Sequence, residues 1–182
     1  MALTAQQQVL RLLRDVQASD DATAARQDFL DFATKHADCC ERALDIGHFT
    51  GSAWLVSADS QRVLLTHHRK LGRWLQLGGH ADGDGDLAQV ALREAGEESG
   101  LADLSVETEI FDMDRHRIPA RGSEREHLHY DVRFVVRACG SEAFTVSEES
   151  HDLAWRRIAE IALDPSADES LRRMALKWLA RG

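Results

Sequence analysis

Over the first 45 residues, hydrophobic positions recur at helical spacing. Val9, Leu10, Leu13 and Val16 return every three to four residues, the period of one helix face. Thr4 and Gln7 precede them, spaced as in a capping box, where side chain and backbone satisfy each other reciprocally. Ser19, Asp20 and Asp21 predict a turn and a new N-cap. A second helix is expected after it, with Ala25, Phe29, Phe32 and Ala33 on one side. Residues 1–45 are therefore read as an N-terminal helical extension packed on a domain spanning 46–182.

Near Gly47 the period changes. Phe49 to Val56 and Arg62 to Thr66 are apolar runs separated by an Asp59-Ser60 turn, which predicts two strands. A glycine- and aspartate-rich loop over 78–86 leads into a helix that starts at Asp86 or Leu87 and ends at Ser99. Gly100 stands where a left-handed residue closes a helix. Leu104 to Asp112 predicts a strand, and 113–126 a polar loop. From Leu128 to Arg137 the pattern alternates, with Leu128, Tyr130, Val132, Phe134 and Val136 on one face, as in a half-buried strand. Leu153 to Ile158 predicts another strand, and Ser166 with Glu169 a second capping box opening a last helix. Strands interleaved with helices, without repeat or proline-rich linker, imply one α/β (α+β) unit.

Composition narrows the function classes. The net charge of -9, from 31 acidic and 22 basic residues, opposes a polyanion such as a nucleic acid duplex. A small phosphate ester remains open, because a metal ion masks clustered carboxylates locally. The odd count of three cysteines, with Cys39 and Cys40 adjacent, argues against a secreted disulfide framework and suits a cytoplasmic setting. The first residues lack a basic segment leading into a long apolar run, so no signal peptide is expected. No stretch nears 18 apolar residues, so no membrane span is expected.

The chemistry concentrates in Gly79 to Leu101. Glu94, Glu97 and Glu98 fall at i, i+3 and i+4, which places them on one helix face with Cβ atoms about 5–6 Å apart. Ala88, Ala91, Leu92, Ala95 and Ser99 form a separate small-residue face, so the helix can bury one side and turn its carboxylates to a cleft. Three adjacent carboxylates repel one another, and a hard cation such as Mg²⁺ or Mn²⁺ removes that repulsion. The alternative is a solvated acidic face, with Arg93 pairing with Glu97 at i+4.

Gly79, Arg93, Glu94, Glu97, Glu98, Gly100 and Leu101 lie in register with G-x5-E-x7-R-E-U-x-E-E-x-G-U, where U is bulky and aliphatic. The segment resembles the Nudix box. Two positions depart from it: Gly85 occupies the first glutamate slot, and Ala95 the first U slot. The resemblance implies a mixed β-sheet sandwiched between helices, over about 45–182. It also implies hydrolysis of a diphosphate linkage in a nucleoside diphosphate-X type small molecule, by water attack at phosphorus. Glu97 and Glu98 would be the principal ligands of Mg²⁺ or Mn²⁺, Glu94 a further one, and Arg93 would orient a glutamate. The family leaves the general base open; Glu98, or Glu148 and Glu149, are the candidates. Nudix domains often pair, so a homodimer is possible. If Gly85 has silenced the chemistry, the chain is instead a nucleotide-binding module. Restoring a glutamate at 85 is expected to raise metal affinity or rate.

Several further residues are candidates for substrate binding: Arg69, Arg73, Gly79, His80, Arg115, His116 and His129. His127 and His129 share the polar face of one predicted strand with Asp131. They are read as a wet face lining the cleft; a zinc site on them with His116 is the alternative. Trp74 is read as a core residue.

Overall fold

In the computed structural model, residues 2–15, 22–68, 72–122, 125–145 and 150–181 are described. The chain begins with helices α1 (Ala5–Arg14) and α2 (Ala22–Lys35), followed by strands β1 (Gly47–Val56), β2 (Arg62–His68), β3 (Arg73–Leu75) and β4 (Leu77–His80). Helix α3 (Leu87–Ser99) follows, then strands β5 (Leu104–Ile118), β6 (His127–Ala138) and β7 (Ser150–Arg157). Helices α4 (Ile158–Leu163) and α5 (Glu169–Leu179) complete the order.

One mixed sheet organises these elements. Five strands run in the order β3-β2-β1-β6-β5, with β4 added on β1 and β7 on β2. Strands β1 and β6 are parallel, from Gly47 opposite Leu128 to Val56 opposite Arg137, while the other pairings are antiparallel.

The sheet separates two cores. On one face, Phe49, Ala53 and Leu55 of β1 and Tyr130, Val132, Phe134 and Val136 of β6 pack with α1, α2 and α3. On the other, Trp54, Val56, Phe111 and Val135 pack with α4 and α5 through Ile158, Ile161, Leu171 and Met174. Period-two alternation in two adjacent strands thus builds a helix–sheet–helix sandwich.

The capping box at Thr4 is present: Thr4 accepts from the Gln7 amide, and Gln7 accepts from the Thr4 amide. At the other end of α1, Arg26 of α2 donates to the carbonyls of Leu13 at 2.7 Å and Arg14 at 2.9 Å. Terminal carbonyls without helical partners are thereby satisfied. Val9, Leu13, Phe29, Phe32 and Ala33 are buried in the same core as β1 and β6, whereas Ala25 is exposed. The expected N-cap at Ser19 to Asp21 lies outside the described residues.

Three expectations are corrected. The polar segment expected as a loop from Met113 continues β5 to Ile118, because it pairs with β6 from Met113 opposite Val132 to Ile118 opposite His127. Strand β6 is not half-buried: Asp131 and Arg133 of its polar face are 2% exposed, since they bond to one another beneath the sheet's second face. The last helix is capped by Asp168, which accepts from the Ser170 amide, whereas Ser166 donates to Asp164.

Candidate functional site

Helix α3 is delimited by its own sequence. Asp86 accepts from the Gln89 amide at its start, and Gly100 takes φ 70° at its end, a left-handed conformation that glycine adopts without steric cost. Leu87, Ala88, Val90, Ala91, Ala95 and Ser99 are buried, which turns Glu94, Glu97 and Glu98 away from the core, Glu94 and Glu98 meeting β4.

Strand β4 holds two of the three carboxylates. The Gly78 amide donates to Glu98 Oε1 at 2.7 Å. Gly79 packs directly on Glu94: a Cβ there would lie 2.8 Å from Oε1 and closer still to the rest of the carboxylate. Arg93 pairs with Glu94 at 3.1 Å and donates to the His80 carbonyl at 3.3 Å. Its partner is therefore Glu94, not Glu97. Glu97 is exposed. One backbone amide and one guanidinium thus fix the outer pair of acids, while glycine supplies the room they need.

The donor chemistry of these residues suits a hard cation. Each ionised carboxylate offers two oxygens with several acceptor directions, so an oxygen fixed by Gly78 or Arg93 leaves capacity for an ion. The set consists of oxygen donors, as Mg²⁺ and Mn²⁺ prefer.

Gly85 is buried against α1. A Cβ at 85 would lie 2.5 Å from Ala5 Cα and 2.6 Å from Gln8 Oε1, and would collide with the Ala5 carbonyl oxygen. The N-terminal helix occupies the space a side chain at this position would need. A glutamate here therefore requires α1 to shift, which opposes the expected gain in metal affinity or rate.

A cavity of about 890 Å³ opens beside β4. Strand register builds its floor. Across β1 and β6, His48 lies opposite His129, Thr50 opposite Asp131 and Ser52 opposite Arg133. Across β6 and β5, His129 lies opposite His116 and Asp131 opposite Asp114. Side chains opposite one another share a face, so histidines and a carboxylate–guanidinium network form two rows on the side away from α3. Asp168, the N-cap of α5, closes the far wall with Ser170 and Arg173 of α5.

The network beneath the cavity is dense. Asp131 accepts from Thr50 at 2.9 Å, Ser52 at 2.7 Å, Arg133 Nε at 2.8 Å and Gln76 at 3.3 Å. Arg133 also reaches Asp112 at 3.2 Å, and Arg173 binds Asp112 and Asp114, both at 2.8 Å. Burial alone would raise the Asp114 pKa, but His116, Arg133 and Arg173 outweigh it and hold it below the usual carboxylate range. Among the described residues, seven arginines and four carboxylates line the cavity, and Asp112 and Asp131 pair with two of those arginines from behind.

The expected substrate-binding residues divide. Arg73, His80, His116 and His129 line the cavity, with Arg73 also paired with Asp168 at 3.1 Å. Gly79 sits under Glu94 instead. Arg115 is not a cavity residue: it lies opposite Tyr130 on the helix-covered face and pairs with Asp28 of α2 at 3.0 Å. Trp74 is half-buried beside the α4–α5 core. Arg69, Glu148 and Glu149 lie outside the described residues. His48, Gln76, Asp114, Arg133 and Arg173 also line the cavity and were not singled out from sequence. Part of that signal was present as polar residues inside strand-like runs, such as His48 with Thr50 and Ser52 at i, i+2 and i+4.

The NUDIX domain model matches residues 48–179. The chain belongs to the Nudix family. It is a Nudix-type pyrophosphohydrolase, of a family whose members generally use divalent metal ions. The fold is similar to that of a C. elegans Ap4A hydrolase binary complex, with a TM-score of 0.57 at 15% identity over 73% of this chain and 96% of that one. It also resembles the E. coli dihydroneopterin triphosphate pyrophosphohydrolase, with a TM-score of 0.56 at 15% identity over 74% and 96%. A MutT protein from Methanosarcina mazei Go1 gives a TM-score of 0.56 at 15% identity over 76% and 96%. No curated protein sequence matches the chain. No helix among the described residues is long and apolar enough to cross a membrane.

Proposed function

We propose that this Nudix protein hydrolyses a diphosphate linkage in a nucleoside diphosphate-X type small molecule, by water attack at phosphorus, with Mg²⁺ or Mn²⁺ held by Glu94, Glu97 and Glu98. The observation that carries this reading is the seating of β4 on α3: the Gly78 amide on Glu98 and the Glu94 carboxylate against Gly79. When bound, the divalent ion supplies neutralisation of diphosphate charge and Lewis acidity.

The protein's own groups do the rest. Arg93 orients Glu94, and Glu97 completes the donor face. Glu98, with one oxygen fixed by Gly78, is the described candidate for accepting a proton from the attacking water; Glu148 and Glu149 are the others. Arg73 and the neighbouring cavity arginines would attract the phosphates by charge-assisted hydrogen bonds, and the cavity would take X. Adjacent Cys39 and Cys40 are both free thiols, which suits a cytoplasmic setting.

The test is phosphate release from a panel of nucleoside diphosphate-X compounds, coupled to a phosphatase, with and without Mg²⁺ or Mn²⁺. Turnover that needs metal and disappears in Glu97→Gln supports the reading and names X. Metal binding without turnover of any panel member would instead favour a binding module.

A further inference from the structure

His48 is 2% exposed, and neither of its ring nitrogens has a hydrogen-bond partner among the described residues. Buried polar atoms are normally paired, and an orphan needs a cause. His80, His127 and His129 surround this ring, with centroids at 5.0, 5.0 and 4.9 Å. One nitrogen each from His48, His80 and His129 lies within 4.8 Å of the other two. Around a tetrahedral ion with bonds of about 2.0–2.1 Å, neighbouring nitrogens stand roughly 3.4 Å apart, so modest ring movements would close the set.

We propose that His48, His80 and His129 form a binding site for a borderline transition-metal ion of the Zn²⁺ class, separate from the carboxylates of α3 and open to the cavity at its remaining position. Three imidazoles select such ions over Mg²⁺, which prefers oxygen. Three protein ligands with one open position form the pattern of a zinc site that exchanges water or substrate.

Neighbouring groups prepare the rings. The Arg125 carbonyl can only accept, so His127 Nδ1 donates to it at 2.8 Å. His127 Nε2 then accepts from His129 Nε2 at 3.2 Å, which leaves the lone pair of neutral His129 on Nδ1. An outer partner that fixes a ligand's tautomer is a recurrent feature of metal sites.

Arg42 opposes the ion. Its Nη2 meets His80 Nδ1 at 2.5 Å, so Nδ1 is an acceptor and the neutral ring carries its proton on Nε2. Neither nitrogen can then ligate until Arg42 withdraws. Arg42 is exposed and has a second partner in Asp82 at 3.5 Å, to which it can retreat. The contact and the ion are mutually exclusive.

The experiment uses the full chain, stripped with a chelator and titrated with Co²⁺ in excess Mg²⁺, followed by calorimetry and the visible ligand-field band. The wild type is expected to take up one Co²⁺ that Mg²⁺ does not displace and Zn²⁺ does. Glu97→Gln should keep this ion, and Arg42→Ala should bind it more tightly. His129→Asn and His80→Asn should weaken binding by more than about tenfold, at or beyond the usual effect of losing a supporting group. If His129→Asn fails to fold, His80→Asn decides the matter alone, because that ring sits at a half-buried strand end. The proposal is overturned if the wild type binds no Mg²⁺-resistant Co²⁺, if Glu97→Gln abolishes the uptake, or if His80→Asn leaves it unchanged. None of these readouts depends on the substrate, so they stand apart from the hydrolase test.

Discussion

Gly85 of the Nudix box and Ala5 of α1 are packed so closely that the glycine has no room for a side chain: a Cβ would stand 2.5 Å from Ala5 Cα. The residue in the first glutamate slot is thus the floor on which the N-terminal helix lies. Gly85→Glu is expected to displace α1 and destabilise the chain by about 1–3 kcal/mol, the usual penalty of overpacking. Ala5→Gly should not rescue it, because the obstruction is main-chain. Denaturant midpoints of the single and double variants check this; an unchanged midpoint in Gly85→Glu would show that α1 yields freely.

Gly79 predicts the opposite balance. Its missing Cβ makes space for the carboxylate of Glu94, the mobile end of a side chain rather than a fixed backbone. Gly79→Ala should push that carboxylate aside with little effect on stability. Affinity for the divalent ion of the proposed carboxylate site should fall about 10–100-fold, as when other supporting groups of metal sites are altered. Calorimetry beside a thermal melt separates the two quantities, and a large drop in melting temperature with intact affinity would refute the assignment.

Helix α3 and its caps were legible in the sequence because glycine punctuation, an Asp N-cap and small-residue periodicity agree there. The cavity was only half legible. His116 and His129 fell into place, but Arg115 did not, since the segment expected as a loop is strand and its alternation sends every second residue to α2. The carboxylate–guanidinium network depends on the parallel pairing of β1 with β6, whose paired residues are 81 positions apart, as in Thr50 opposite Asp131. No local pattern encodes that register. The role of Gly85 was hidden for the same reason: its partner lies in α1.

Asp131 is the anchor of that network. At 2% exposure it accepts from Thr50, Ser52, Gln76 and Arg133. Asp131→Ala should cost about 3–5 kcal/mol, because it leaves Arg133 buried with one charge partner fewer and three polar groups without their acceptor. Asp131→Asn should cost less, since the amide oxygen still accepts. Equilibrium urea unfolding measures both; a loss under about 1 kcal/mol in the alanine variant would mean that Asp112 and Asp114 already satisfy Arg133.

Asp114 gives the network a pH dependence whose sign is fixed. Burial raises its pKa, yet His116, Arg133 and Arg173 together hold it below the usual carboxylate range. The folded state therefore binds this proton less readily than the unfolded chain, whose aspartates titrate near about 3.9. The stabilisation is complete above that value and is lost as pH falls through it towards the folded value. Unfolding free energy should drop on acidification below about pH 4, and Asp114→Asn should flatten that decline while lowering stability at neutral pH. Urea midpoints across about pH 3 to 7 decide the matter: the gap between wild type and variant should be widest at neutral pH and should narrow as pH falls below about 4. Parallel curves would remove Asp114 from the acid response and leave the decline to the remaining carboxylates.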